Sequence, residues 1–261
     1  MKLSFEGRAV LITGGGTGIG RALALAFAEA GADVAVAARR LEPLDETCAL
    51  VRAQGRRAHA VRCDVKELAQ CEAAVASTVA ALGRLDVLIN NAGANFLAPA
   101  AAVSQNGWAT IIDVVLNGSF HMSKAAFPHL AESGRGRIVM LSATNAAFGS
   151  PLMAPSGAAK AGVHSLAQTL AVEWAPFGIT VNSVSPGPVD TEGANSRLWA
   201  DRAAYERVAA RAPLGKRMAT PADIVGPVLF LASDAAAFVT GANLVVDGGE
   251  RLRQLSGAMS L

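Results

Sequence analysis

Residues 13–20 read Thr-Gly-Gly-Gly-Thr-Gly-Ile-Gly, directly behind the apolar run Ala9-Val10-Leu11-Ile12. The order is that of a strand, a tight turn and a helix. Gly14, Gly16, Gly18 and Gly20 let the backbone approach a large ligand more closely than side chains would allow. The helix that opens near Gly18, with Thr17 and Ile19 in its first turn, aims free N–H groups and the positive end of its dipole at that ligand. A diphosphate, such as that of a nicotinamide dinucleotide, is the natural occupant. The spacing is Gly14-x-x-x-Gly18-x-Gly20 rather than G-x-G-x-x-G. A plain tight turn between packed elements is the other reading of such a stretch.

Outward from this turn, short Val/Ile/Leu runs alternate with longer helical patterns. Strands are predicted at 8–13, 33–38, 57–62, 86–90, 136–142, 180–185 and 243–247, and helices near 18–30, 41–54, 66–82, 107–132, 155–175 and 221–233. The predicted fold is α/β: a Rossmann-type, doubly wound, parallel seven-stranded sheet with helices on both faces. The strands are apolar on both faces, as buried parallel strands are. No repeat or low-complexity linker divides residues 1–261, so a single domain is expected. The alternation is interrupted at about 186–219, either a lid over the substrate or a solvent loop.

Composition narrows the function. The 261 residues are 52% hydrophobic and 17% charged, enough for a large core and unlike a disordered chain. A net charge of +2 without a long basic run argues against nucleic acid. Cys48, Cys63 and Cys71 are odd in number and form no metal-type pair, as in a reducing cytoplasm. No stretch reads as a signal peptide or membrane span, so a soluble cytoplasmic protein is expected. Of the four histidines, His121 and His129 are eight apart with no carboxylate at ligand spacing, so no metal site is expected.

The strand ends carry the ligand residues. The second strand ends at Ala38, where an acidic residue would bind the ribose of NAD, and Arg39-Arg40 follow. Two guanidinium groups there suit the 2′-phosphate of NADP(H), the cofactor expected here; two solvated arginines opening a helix are the alternative. Asp64, before Val65, can accept from an adenine amino group. Asn91-Ala92-Gly93 bring backbone toward the adenosine ribose and nicotinamide. Pro186-Gly187-Pro188-Val189 offer a backbone clamp for the carboxamide, and Thr191 a hydroxyl for a phosphate or amide.

TGGGTGIG, Cys63-Asp64-Val65, Asn90-Asn91-Ala92-Gly93, Pro186 to Thr191 and Asp247-Gly248-Gly249 recur in order along the chain. In these motifs the sequence resembles the short-chain dehydrogenase/reductase family over its whole length. That resemblance implies Asn, Ser and Tyr-x-x-x-Lys at the active site, and a homotetramer. Lys160 is present, but Ser156 stands in the tyrosine position. The serine position falls on Ala143, next to Ser142. The asparagine position falls on Val115, with Asn117 two residues on. The only tyrosine, Tyr205, lies in the interrupted segment, where it either packs or reaches the site from a lid.

Within the family the chain is similar to 2,4-dienoyl-CoA reductases, which also carry Ser-x-x-x-Lys. The likeness lies in Asn95-Phe96, Asp113 to Gly118, Ser156 to Val163, Thr191-Glu192-Gly193, Ser196-Arg197-Leu198 and Asp247 to Glu250. It implies that Asn95 and Ser156 hold the thioester region of an acyl-CoA and that Lys160 binds the nicotinamide ribose. Asn145 stands where the mitochondrial form has a further tyrosine; it can donate a hydrogen bond to an enolate oxygen but is no useful acid. Conjugate reduction tolerates this, because charge collecting on the thioester oxygen needs oriented donors more than immediate protonation. Ser156 as a small packing residue and Asn95 as a loop residue are the plainer readings. The function expected is NADP(H)-dependent reduction of a conjugated acyl thioester. A carbonyl reductase or alcohol dehydrogenase of the same family and a weakly catalytic cofactor-binding subunit are the alternatives.

Overall fold

Runs that are apolar on both faces need a sheet covered on both sides. In the computed structural model, which describes residues 3–198 and 201–253, they form β1 (Ala9–Thr13), β2 (Asp33–Ala38), β3 (Ala58–Arg62), β4 (Val87–Asn90), β5 (Arg137–Leu141), β6 (Thr180–Pro186) and β7 (Asn243–Val246). Each lies within one residue, at either end, of a strand expected from the sequence. All pair in parallel in the order β3-β2-β1-β4-β5-β6-β7. The helices are α1 (Gly18–Glu29), α2 (Glu42–Ala53), α3 (Leu68–Leu82), α4 (Gln105–Ile112), α5 (Gly118–Glu132), α6 (Ala154–Trp174), α7 (Glu192–Leu198), α8 (Arg202–Ala209), α9 (Pro221–Ala232) and α10 (Glu250–Arg253).

The pleat sorts the strand residues into two cores. Leu11, Ala35 and Ala37 pack with α3, α5 and α6, while Val10, Ile12, Val34 and Val36 pack with α1, α2 and α9. In α1 the four-residue spacing of Leu23 and Phe27, with Ala24 and Ala28, makes one buried stripe. Phe27 is met edge-on by Phe5, with ring centroids 4.8 Å apart. Because β1 continues to β2 on one side while its other neighbour, β4, continues to β5 on the opposite side, the connections after these two strands run in opposite directions. The loops after β1 and β4 therefore diverge and open a crevice at their carboxyl ends. The three cysteines are free and buried. Among the described residues no helix is long and apolar enough to cross a membrane.

Two stretches depart from expectation. The helix expected over 107–132 is broken by a wide π-type turn at Asp113–Asn117 between α4 and α5. The turn ends at Gly118, which lies so close to Val65 that a Cβ there would be 2.6 Å from Val65 Cγ2. Asn117 Nδ2 donates to Asp113 Oδ1 at 2.8 Å within the turn. The interrupted segment at 186–219, read from the sequence as a lid or a loop, holds two helices, α7 and α8. Residues 199 and 200 of that segment lie outside the described residues, as do the side chains of Ser196 and Arg197.

Candidate active site

The glycine turn is shaped by contacts no side chain could share. Gly14 and Gly18 have φ of +67° and +52°, and a Cβ on Gly20 would fall 2.2 Å from the Gly14 carbonyl oxygen. Gly20→Ala is expected to lower stability by about 1–3 kcal/mol through this overlap, measured by urea unfolding. Thr13 joins the two crevice loops. Its hydroxyl donates to the Ile89 carbonyl at 3.3 Å and accepts from the amides of Asn91 at 3.0 Å and Ala92 at 2.9 Å. The Asn91 side chain returns the tie, donating to the carbonyls of Thr13 at 2.8 Å and Gly14 at 3.3 Å. Asn91 therefore positions the loops, leaving the Ala92-Gly93 backbone to line the crevice. Arg21 fastens the turn to α2, donating to the Gly16 carbonyl at 2.8 Å and Thr47 Oγ1 at 3.2 Å.

The crevice opens into a cavity of about 1320 Å³, larger than the few hundred to roughly 1,000 Å³ of a single small-ligand pocket. Gly14, Gly16, Thr17, Gly18, Ile19 and Gly20 form its floor. Arg39 and Arg40, past the end of β2, line one end; both are exposed and neither side chain has a hydrogen bond or ion pair among the described residues. Asp64 and Val65 lie beside them. Asp64 Oδ1 accepts from the Lys66 amide at 3.2 Å, which leaves it acceptor capacity toward the cavity. Pro186, Gly187, Val189 and Thr191 form the wall beyond β6. Thr191 sits over Gly18, where a Cβ would be 3.3 Å from its Cγ2, and its Oγ1 accepts from the Ala194 amide at 3.2 Å.

Lys160, Ser156, Asn145 and Asn95 line the other end of the same cavity. Four residues on α6 put Ser156 and Lys160 on one face. The Lys160 ammonium donates to the Leu141 carbonyl at the end of β5. Its burial pushes its pKa down to about 8. Asn145 Nδ2 donates to Ser156 Oγ at 3.4 Å, while its buried Oδ1 has no partner. Accepting at Oγ leaves the Ser156 proton free to donate elsewhere. Asn95 Oδ1 accepts from the Phe96 amide at 2.9 Å, which anchors the amide group by its oxygen and leaves Nδ2 as a donor.

Ser142, Val115, Asn117 and Tyr205 do not line the cavity. Ser142 is buried and donates to the Lys160 carbonyl at 3.0 Å, so it does not replace the missing serine beside it. Ala143 lines the cavity instead. Val115 is buried, Asn117 is spent on Asp113, and the π-type turn presents Val114 to the cavity. Tyr205 Oη donates to Asp190 Oδ2 at 2.7 Å, with Asn195 on the other carboxylate oxygen at 2.6 Å. This pins α8 to the end of β6, holds the Asp190 carboxyl below its usual range and raises the Tyr205 phenol. Tyr205 packs with Val208, Ala209 and Met218. Tyr205→Phe is expected to lower stability by roughly 1 kcal/mol and leave kcat within about twofold, where loss of a proton donor costs about a hundredfold or more.

The histidines make local bonds, His59 with Ser77 at 2.8 Å, His121 with the Val65 carbonyl at 3.1 Å and His164 with Ser183 at 3.3 Å. The sequence reading assigned no role to Phe148, Met153, Arg211 or Glu250, which also line the cavity. Glu250 carried a signal, since it directly follows Asp247-Gly248-Gly249. Arg211 carried none.

Residues 14–250 match a family model described as enoyl-(acyl carrier protein) reductase. The chain is 39% identical over 249 residues to a probable 2,4-dienoyl-CoA reductase of Bacillus subtilis, covering 95% of this chain and 98% of the relative. It is 41% identical over 256 residues to an L-rhamnose 1-dehydrogenase (NAD(P)(+)) of Sphingomonas sp., covering 95% and 98%. Among solved structures it is similar to a putative NAD(P)-dependent gluconate 5-dehydrogenase from Beutenbergia cavernae with NADP bound at low occupancy. That match has a TM-score of 0.90 at 38% identity and covers 97% of this chain and 100% of the other.

Proposed function

Because the chain belongs to the short-chain dehydrogenase/reductase family, we propose that it is an NADP(H)-dependent oxidoreductase that reduces a conjugated 2,4-dienoyl or enoyl acyl-CoA thioester. The observation that carries this reading is the buried Ser156, hydrogen-bonded by the half-buried Asn145, where the family's tyrosine would stand, four residues before Lys160. A serine hydroxyl is too weak an acid to hand a proton to a ketone-derived alkoxide, but it is a good oriented donor.

The residues fit the cofactor. Gly14, Gly16, Thr17, Gly18, Ile19 and Gly20 offer a floor without side-chain obstruction to a diphosphate. The unpaired guanidinium groups of Arg39 and Arg40 suit a 2′-phosphate. Asp64 and Val65 would receive the adenine, the Asn91-Ala92-Gly93 backbone the riboses, and Pro186, Gly187, Val189 and Thr191 the carboxamide. NADPH supplies hydride when bound. The chain's own residues do the rest. Lys160 holds the nicotinamide ribose by the ammonium hydrogens that Leu141 does not take. Ser156 Oγ–H, polarised by the amide of Asn145, and Asn95 Nδ2–H donate to the thioester oxygen. There negative charge gathers as the conjugated π electrons shift, and donors fixed in advance favour that state over the neutral substrate. Water then protonates carbon. Reduction with 4-deuterated NADPH is expected to place deuterium on a chain carbon with the thioester intact. Deuterium on a carbinol carbon would refute the reading.

The second reading, oxidation of a sugar or polyol, is favoured by the likeness to the L-rhamnose dehydrogenase and by the polar wall at Arg211 and Glu250. It requires a proton acceptor that Ser156 does not provide.

A further inference from the structure

Two unlike groups of residues line the cavity beyond the proposed thioester site. Phe148, Pro151 and Met153, on the loop after β5, are apolar, with Ser150 among them. Arg211, past the end of α8, and Glu250, at the start of α10, are charged. The Glu250 side chain is only 7% exposed, yet its carboxylate accepts no hydrogen bond among the described residues. Arg211, its ion-pair partner among the described residues, is 61% exposed and stands off at 4.0 Å. Glu250 Oε2 lies 3.2 Å from where a Cβ of Gly187 would be, so the absence of a side chain at Gly187 makes room for this carboxyl at the cavity wall.

A buried carboxyl without donors is costly, and water or a ligand must satisfy it. Burial raises the Glu250 pKa, with Arg211 opposing and Asp247 adding to the shift. Asp247 is itself occupied, accepting from the amides of Gly249 at 2.9 Å and Arg251 at 3.1 Å. A hydrocarbon chain laid over Glu250 would leave its oxygens unpaired, whereas an N–H or O–H carried by the substrate would pair them.

We propose that Glu250 is a specificity-determining residue that accepts a hydrogen bond from a neutral N–H donor of the substrate, the amide of a pantetheine arm, while the acyl chain lies along Phe148, Pro151 and Met153. The assignment rests on the thioester reading above. It orients the substrate: the polar arm leaves the site on the side of Arg211 and Glu250 and the hydrocarbon on the side of the β5 loop.

The test compares an amide-free S-ethyl dienoyl thioester with the N-acetylcysteamine and CoA thioesters of the same acid, in wild type, Glu250→Gln and Glu250→Leu. Glu250→Leu is expected to lower the ratio of kcat/KM for amide-bearing over amide-free substrate by about tenfold, the effect of one hydrogen bond to a charged group. The loss should fall in KM more than in kcat. Glu250→Gln, which keeps a carbonyl acceptor, should hold that ratio within about threefold. Glu250→Ala gives the same comparison should the leucine variant fail to fold. Calorimetric titration of a saturated acyl-CoA should show the same order of affinities. An unchanged ratio in an active leucine or alanine variant would overturn the assignment alone. A wild type inactive on every thioester, with L-rhamnose oxidised instead, would overturn the thioester reading and this assignment with it.

Discussion

Lys160→Met is expected to lower kcat by about a thousandfold or more while leaving the protein folded, the scale of loss when an oriented charge at a reacting centre is removed. The ammonium is buried, and its one hydrogen-bond partner among the described residues is the Leu141 carbonyl. Two hydrogens and the positive charge are thereby directed into the cavity where Ser156 and Asn145 sit. The same burial gives the variant a second signature. Lys160 has its pKa lowered from 10.5 to about 8, so between these values the unfolded chain binds more protons than the folded one. Stability without cofactor therefore rises with pH across that window, and the penalty is fully present below pH 8. Methionine carries no such penalty, so the difference in unfolding free energy between variant and wild type should fall by about 3 kcal/mol between pH 7.5 and 10.5. The unpaired Leu141 carbonyl offsets the gain by a pH-independent amount. Urea unfolding at several pH values reads the slope, and a flat difference would mean that Lys160 is not desolvated.

Arg39→Ala with Arg40→Ala is expected to weaken NADPH binding by roughly a hundredfold, two charge-assisted hydrogen bonds to a phosphate being at stake. NADH, which lacks that phosphate, should change by no more than about threefold. The contrast is sharp because neither guanidinium has a partner to lose among the described residues. Quenching of protein fluorescence titrates both cofactors, and an equal loss for the two would mean that the arginines act on the loop rather than on the phosphate.

The sheet was legible because its strands are apolar on both faces, a pattern that only a doubly covered parallel sheet explains. The glycine turn and the strand-end motifs placed the crevice, and every residue proposed from them for cofactor or substrate lines one cavity. What stayed hidden depends on contacts between distant elements. The helical pattern from 107 to 132 gives no sign of the π-type turn at Asp113–Asn117, which the backbone shows. Thr13 looks like any strand-end threonine, yet its hydroxyl joins two loops. Ser142 adjoins the expected serine position, and its turn toward the Lys160 carbonyl is set by how α6 lies on β5. Arg211 and Glu250 meet only because α8 and α10 fold back over the same end of the sheet.

Ser156 in the tyrosine position is proposed to direct hydride to a conjugated thioester rather than a ketone. NADPH oxidation followed with 2,4-dienoyl-CoA, 2-enoyl-CoA and 3-ketoacyl-CoA of one chain length tests it most directly. Turnover of the dienoyl or enoyl substrate, with the ketoacyl substrate at least about a hundredfold slower, is the result the account predicts. Turnover of the ketoacyl substrate alone would contradict it.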